Sequence, residues 1–254
     1  MSDGIYTALS GSLAQQHSLD VIANNVANAS TAGFRGDRVV FGELLAGAQA
    51  KGGAVDPRQS GPLRTDQFVR VEENQLDRTA GGLRQTGNKL DVALNGDGFF
   101  KVRTENGDRL TRAGNFMMRE GGELTSMEGY AVIGEDDAPI VLPRDVKDIR
   151  IETDGIIRAD GQEVAKFSLR TVADQAHLQR EGTTTYTIKA GTEVVPAGRI
   201  EVSQGYLESS NVNPVNGLNE LITVNRSFDA LQRVIQNFQQ IDQRTARDIG
   251  SRTG

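Results

Sequence analysis

The sequence predicts an α+β protein: a discontinuous α-helical, coiled-coil-like domain drawn from both termini, plus a β-rich middle domain. Three observations carry this. Apolar residues recur at helical spacing near both ends of the 254-residue chain. Between about 68 and 205, short alternating apolar runs are cut by Gly, Asn and Asp pairs. Gly is abundant and Pro scarce, 29 against 6, a balance that suits many tight turns.

The first helix is expected from Asp3 to about Asn28. Its stripe runs Ile5, Leu9, Leu13 or Ser12, Gln16, Leu19, Ile22 and Val26, with Ser2 or Asp3 able to cap the start. Between Met1 and Phe34 the only side chains charged at pH 7, with His17 neutral, are Asp3 and Asp20. A solvated helix normally carries Lys, Glu and Arg on its outer face, so this one reads as a helix covered by other polypeptide.

The last helix is expected from about 215 to 249, roughly 50 Å long at 1.5 Å per residue. Leu221, Val224, Phe228, Leu231, Ile235, Phe238, Ile241 and Thr245 alternate by threes and fours, as in a coiled-coil seam. Pro214 sits at its start and Gly250 near its end. Two such helices at the extremes of one chain most simply pair with each other.

In the middle, the runs 99–104 and 109–112 flank the turn 105–108, in which Asn106 and Gly107 are expected to supply the positive φ angles of a type I′ hairpin. Further strands are expected at 91–94, 131–133, 140–142 and 156–159, the last between Asp154-Gly155 and Asp160-Gly161. The resulting division is 1–45 for the N-terminal helix and exit segment, 46–67 for an extended linker, 68–205 for the β-rich domain, and 206–254 for the C-terminal helix. On this division the β-rich segment folds without the ends.

The excluded classes follow from counts. A net charge of −6 argues against nucleic-acid binding. With no Cys and only His17 and His177, thiolate or multi-His metal sites, disulfides and cysteine nucleophiles are not expected. No apolar run is long enough for a membrane span, and the N-terminus lacks the pattern of a cleaved signal. Phosphate-binding, serine-hydrolase, metalloprotease and dinucleotide motifs are not found. Asn95-Gly96-Asp97-Gly98 reads as a turn rather than a calcium loop, and Asp136-Asp137 as a solvated turn rather than an acid/base pair. No catalytic residue, cofactor or metal is expected.

Residues 23–35, ANNVANASTAGFR, close the first helix with three Asn, a glycine stop at Gly33 and Phe34 to anchor the exiting chain. This stretch resembles the signature of the flagellar rod and hook axial proteins. Residues 86–102 (TGNKLDVALNGDGFFKV) and 110–116 (LTRAGNF) are similar to the family's central motifs. Residues 204–213 (QGYLESSNVN) and Arg226-Ser227-Phe228-Asp229 resemble its C-terminal elements.

The resemblance implies a structural rod subunit in the bacterial flagellar basal body, within the periplasm, that polymerises helically around an export channel and transmits torque from motor to hook. The opening Gly4–Ala8 and the stretches 132–134 and 138–143 are closer to the proximal rod type, with the distal type as the alternative. Implied partners are copies of itself, other rod proteins and the flagellar type III export apparatus, with peptidoglycan and the basal-body rings as candidates and neither nucleic acid nor membrane insertion expected. The assembly interface is assigned to Ile5, Leu9, Leu19, Ile22, Asn24, Asn25, Val26, Asn28, Gly33 and Phe34, with Leu221, Val224, Phe228, Leu231, Ile235 and Phe238. Uncharged, amide-rich faces suit burial against several neighbours, because amides find partners without a buried-charge penalty. One rival is a secreted carbohydrate-binding or carbohydrate-cleaving domain, disfavoured by 4 Tyr and no Trp. A free-standing coiled-coil adhesin or phage-tail-like protein is another.

Overall fold

The computed structural model describes residues 2–46, 66–71, 74–172, 178–188, 194–196 and 200–250. Most of the expected linker at 46–67, and His177, lie outside the described residues. Helix α1 spans Ser2–Ala27 and helix α2 spans Pro214–Gly250; β-strands lie between them in sequence. The α+β class is therefore as expected. The chain forms two compact units. One comprises Met1–Asn24, Asp37–Gln75 and Val215–Gly254, the other Asn25–Gly36 and Leu76–Pro214.

In the helical unit, α1 and α2 run antiparallel side by side. A Cβ placed on Gly4 would lie 3.3 Å from the Phe238 ring, and one on Gly11 would lie 3.5 Å from Leu231 Cδ1. Seven residues forward on α1 thus match seven backward on α2. The strand Phe41–Ala46 pairs with Asp66–Val71 in an antiparallel ribbon of the same unit.

The β unit is built on a nine-stranded sheet with Phe99–Thr104 near its middle. That strand pairs with Gly107–Thr111, Ala131–Val132 and Leu169–Val172, so its side chains are covered by neighbours from three parts of the chain. Phe100 packs edge-on against Phe116 and Phe167, at centroid distances of 5.0 and 5.2 Å, in a core that includes Val92, Leu124, Ile140 and Ile157. Phe99 points into a second cluster with Leu110, Val172, Leu178 and Tyr186. Consecutive phenylalanines serving different cores follow from the two-residue period of a strand.

Two local expectations change. At the Phe99–Thr111 hairpin, positive φ is confined to Gly107 (104°) and Asn106 lacks it, so the turn is not type I′. The Thr104 hydroxyl accepts from the Asn106 amide at 3.3 Å and fixes this alternative. The type I′ signature instead falls at Asp160 (φ 49°) and Gly161 (φ 83°), which join Ile156–Ala159 to Gln162–Lys166. Second, 140–142 forms bridges rather than a continuous strand: Ile140 N donates to Val132 O and Leu142 N to Gly122 O. Flanking Pro139 and Pro143 have no amide proton with which to extend a ladder.

Candidate assembly surface

The α1 face towards α2 is made of small residues. Gly4 and Gly11 receive Phe238 and Leu231, and Ser12 Oγ accepts from Gln232 Nε2 at 3.2 Å. Ala8, Ser12, Ala14, Ser18, Val21 and Ile22 are buried, whereas Leu9 and Leu13 are 44% and 58% exposed. The bulky side chains come from α2: Leu221, Val224, Phe228, Leu231, Ile235 and Phe238 are all half-buried, while Ile241 is exposed and the Thr245 side chain is outside the described residues. Small residues on one helix let the other's large ones approach closely, which moves Leu9 off the intramolecular seam.

Tyr6, Leu9 and Leu13, at i, i+3 and i+7, form one uncovered apolar stripe on α1. Val215, Leu218 and Ile222 repeat the same spacing, exposed, at the start of α2. Ile5 and Leu19 are half-buried. Of the amides, Asn24 is exposed and Asn25 and Asn28 are half-buried, as is Val26 between them. Asn28 accepts from Thr31 through both its carbonyl and its side-chain oxygen. His17 hydrogen-bonds Asn74 at 2.8 Å.

Gly33 and Phe34 lie elsewhere: they are buried in the β unit of their own chain. Gly33 has φ 69°, its amide donates to the Glu208 carbonyl at 2.8 Å, and any Cβ would lie 2.4 Å from the Arg112 carbonyl carbon. Phe34 is capped by the Arg180 guanidinium, 4.5 Å from its ring centroid. Within this chain both residues are covered, and they anchor the exiting segment from inside.

Sequence reasoning missed the charges beside them. Arg35, Arg112 and Glu208 are each at least 97% buried. Glu208 lies 3.5 Å from Arg35 Nη2 through one oxygen and 3.5 Å from Arg112 Nη1 through the other. Both guanidinium groups also sit near the face of Phe99, at 5.6 and 5.2 Å. Burial draws the Arg112 pKa below its ordinary value; Glu208 opposes that and Arg35 adds to it. The signal was present but unread: each residue is a charge inside one of the motif stretches of small, apolar and amide residues.

On the outer surface, Lys101 bridges Asp108 (2.7 Å) and Asp137 (2.8 Å). Burial pulls the Lys101 pKa down, but the two carboxylates outweigh it and the net shift is upward. Asp108 is lowered, first by its hydrogen bond to Arg103 and then, against burial, by Lys101. A depression of about 400 Å³ is lined by Glu135, Asp136, Glu163, Val164, Ala165 and Lys166 and contains no aromatic ring. Two of its carboxylates are ion-paired, Glu135 to Lys166 at 3.0 Å and Glu163 to Arg158 at 3.8 Å. Among the described residues no three metal-ligating side chains converge, and no helix is long and apolar enough to cross a membrane.

Comparison with known proteins places these features. Residues 5–35 match the family described as flagella basal body rod protein, 93–159 the flagellar hook protein FlgE/F/G D1 domain, and 203–248 the flagellar basal body rod FlgEFG protein C-terminal family. The chain is 33% identical over 254 residues to the flagellar basal-body rod protein FlgF of Mesorhizobium japonicum, covering 100% of both chains. It is 32% identical over 238 residues to the protein of that name from Rhizobium meliloti, covering 93% of each. It is 30% identical over 255 residues to the flagellar basal-body rod protein FlgG of Bacillus subtilis, covering 95% of this chain and 97% of that one. End-to-end likeness at this level, through both helices and the β unit, makes the chain a member of the flagellar basal-body rod protein family.

Proposed function

We propose that this chain is a structural, non-enzymatic subunit of the flagellar rod, of the proximal type, which assembles helically with copies of itself and with other rod proteins and passes torque from motor to hook. The observation that carries it is the full-length match to a rod protein, 100% of both chains. The proximal assignment is supported by the Gly4–Ala8 opening and by residues 132–143. Helical growth needs heterologous contacts, in which one face of a subunit meets a different face of the next. The uncovered stripe of Tyr6, Leu9 and Leu13 and the exposed start of α2 supply two such faces.

The terminal helices form a coiled-coil-like axial domain in this reading, divided from the β-rich domain as 1–45, 46–67, 68–205 and 206–254. Ile5, Leu9, Leu19, Ile22, Asn24, Asn25, Val26 and Asn28 serve the assembly interface with the α2 seam from Leu221 to Phe238, and Gly33 and Phe34 serve it by fixing the segment that leaves α1. The flagellar type III export apparatus delivers the chain, and peptidoglycan and the basal-body rings are candidate neighbours of the β unit. The test is to locate the protein in a cryo-EM map of intact basal bodies. Density for both helices in the tube wall of the proximal rod supports the reading; density in the distal rod, or none in the rod, overturns it.

A further inference from the structure

Four chain passages connect the β unit to the rest of the protein, after residues 24, 36, 75 and 214. Within the β unit, the segments that carry them are tied together. Gly36 N donates to Asn211 Oδ1 at 2.8 Å, and Asp77 N donates to Gly36 O at 2.8 Å. Asn211 Nδ2 donates to the carbonyls of Asp77 and Thr79 at 3.2 and 3.1 Å. One amide side chain thus joins the stretch leaving α1, the stretch returning at 76–79 and the stretch leading to α2.

Beneath that hub lies the buried charge cluster. The Glu208 carboxylate faces Arg35 from the first stretch, Gly81 N (3.3 Å) from the second, and Arg112 from the adjoining hairpin. Glu208 also ends the strand Tyr206–Glu208, which pairs with Leu83–Gln85, and Ser209 N continues the contact to Gly82 O at 2.8 Å. Two arginines share one carboxylate, and Nε, Nη1 and Nη2 of Arg35 make no hydrogen bond. Removing the carboxylate would leave both buried cations without an ion-pair partner, Arg112 keeping only its bonds to the Leu94 and Gly96 carbonyls, whereas removing Arg35 would leave a matched pair.

We propose that Arg35, Glu208 and Arg112 form a charge-locked clasp that holds segments 25–36, 76–87 and 205–211 as one cooperative piece, able to open while the central sheet stays folded. The clasp sets the points from which the chain leaves the β unit, and it stands whether or not the protein polymerises. Its closing residue comes late in the chain, so residues 25–36 have no locked position until Glu208 is in place.

Hydrogen exchange read by mass spectrometry on the full-length protein tests this. Glu208→Gln, nearly isosteric, should speed exchange at least tenfold in 25–36, 76–87 and 205–211 together, with 116–118 and 124–126 unchanged. Arg35→Met should stay within threefold of the parent, because Arg112 and Glu208 are then matched one to one. Asn211→Ala, which touches no buried charge, should loosen the same three segments and no others. Loosening of a single segment, simultaneous exchange of the central strands, or an Arg35→Met effect as large as that of Glu208→Gln would overturn the proposal.

Discussion

The amide of Gly33 donates to the carbonyl of Glu208 at 2.8 Å, joining residues 175 positions apart where the N-terminal segment enters the β unit. Gly33 has two reasons to be glycine there. Its φ of 69° is left-handed, and the Arg112–Ala113 backbone fills the space a side chain needs. Gly33→Ala should cost roughly 2–4 kcal/mol from strain plus overpacking. Gly87→Ala, with φ 75° but open space, should cost about 1 kcal/mol. Equal costs in urea unfolding would remove the steric part of this account.

Phe228 and Ile235 lie half-buried on the α2 seam. An aspartate at either position puts an unpaired carboxylate against apolar neighbours, a change expected to cost several kcal/mol once the site is fully covered in an assembly. Phe228→Asp should abolish swimming and rod assembly while near-UV circular dichroism of the β unit is unchanged. A motile Phe228→Asp strain would sink the idea.

Tyr6 and Leu13 differ in kind, being uncovered in the free chain. Tyr6→Glu and Leu13→Glu should change monomer stability by no more than about 0.5 kcal/mol. Both should nevertheless block incorporation into basal bodies, scored by electron microscopy of purified particles. Normal incorporation would show that the stripe faces solvent in the rod.

The Asp108 carboxyl titrates below its ordinary value because Arg103 and Lys101 hydrogen-bond its charged form. Such a pair stabilises the fold above the unfolded carboxylate pKa of about 4 and loses that contribution as pH falls through the lowered folded value. Asp108→Asn should be less stable than the parent at pH 7, by under about 1 kcal/mol after solvent screening. The gap should close towards pH 2 in thermal melts. A gap independent of pH would assign the loss to packing.

The segment 68–205 was expected to fold alone, yet the β unit also contains Phe34, Arg35, Leu207 and Glu208, all buried. A fragment covering 25–214 should therefore melt cooperatively at a higher temperature than one covering 68–205. In the shorter fragment, residues 83–85 lack their pairing strand and should exchange freely. Coincident melts and equal protection would show that the flanks are dispensable.

Both helices and most turns were legible because their causes are local. The period of Leu221, Val224 and Phe228 and the Pro214 start act within a few residues of themselves, and local sterics decide them in any context. The glycine stop expected at Gly33 does not close α1, which ends at Ala27; Gly33 instead takes its left-handed turn against the Arg112–Ala113 backbone. Which apolar residues of α1 face α2 was not legible. Leu9 carries the stronger apolar signal, but close packing against Phe238 and Leu231 selects Gly4 and Gly11. The buried meeting of Arg35, Arg112 and Glu208 was further out of reach. A charge is normally read as solvated, and only the closing of the loop between Arg35 and Glu208, 173 positions apart, takes water away from all three. Tertiary structure decided these pairings because burial and partner choice belong to the packed chain, whereas periodicity and backbone geometry belong to the residues themselves.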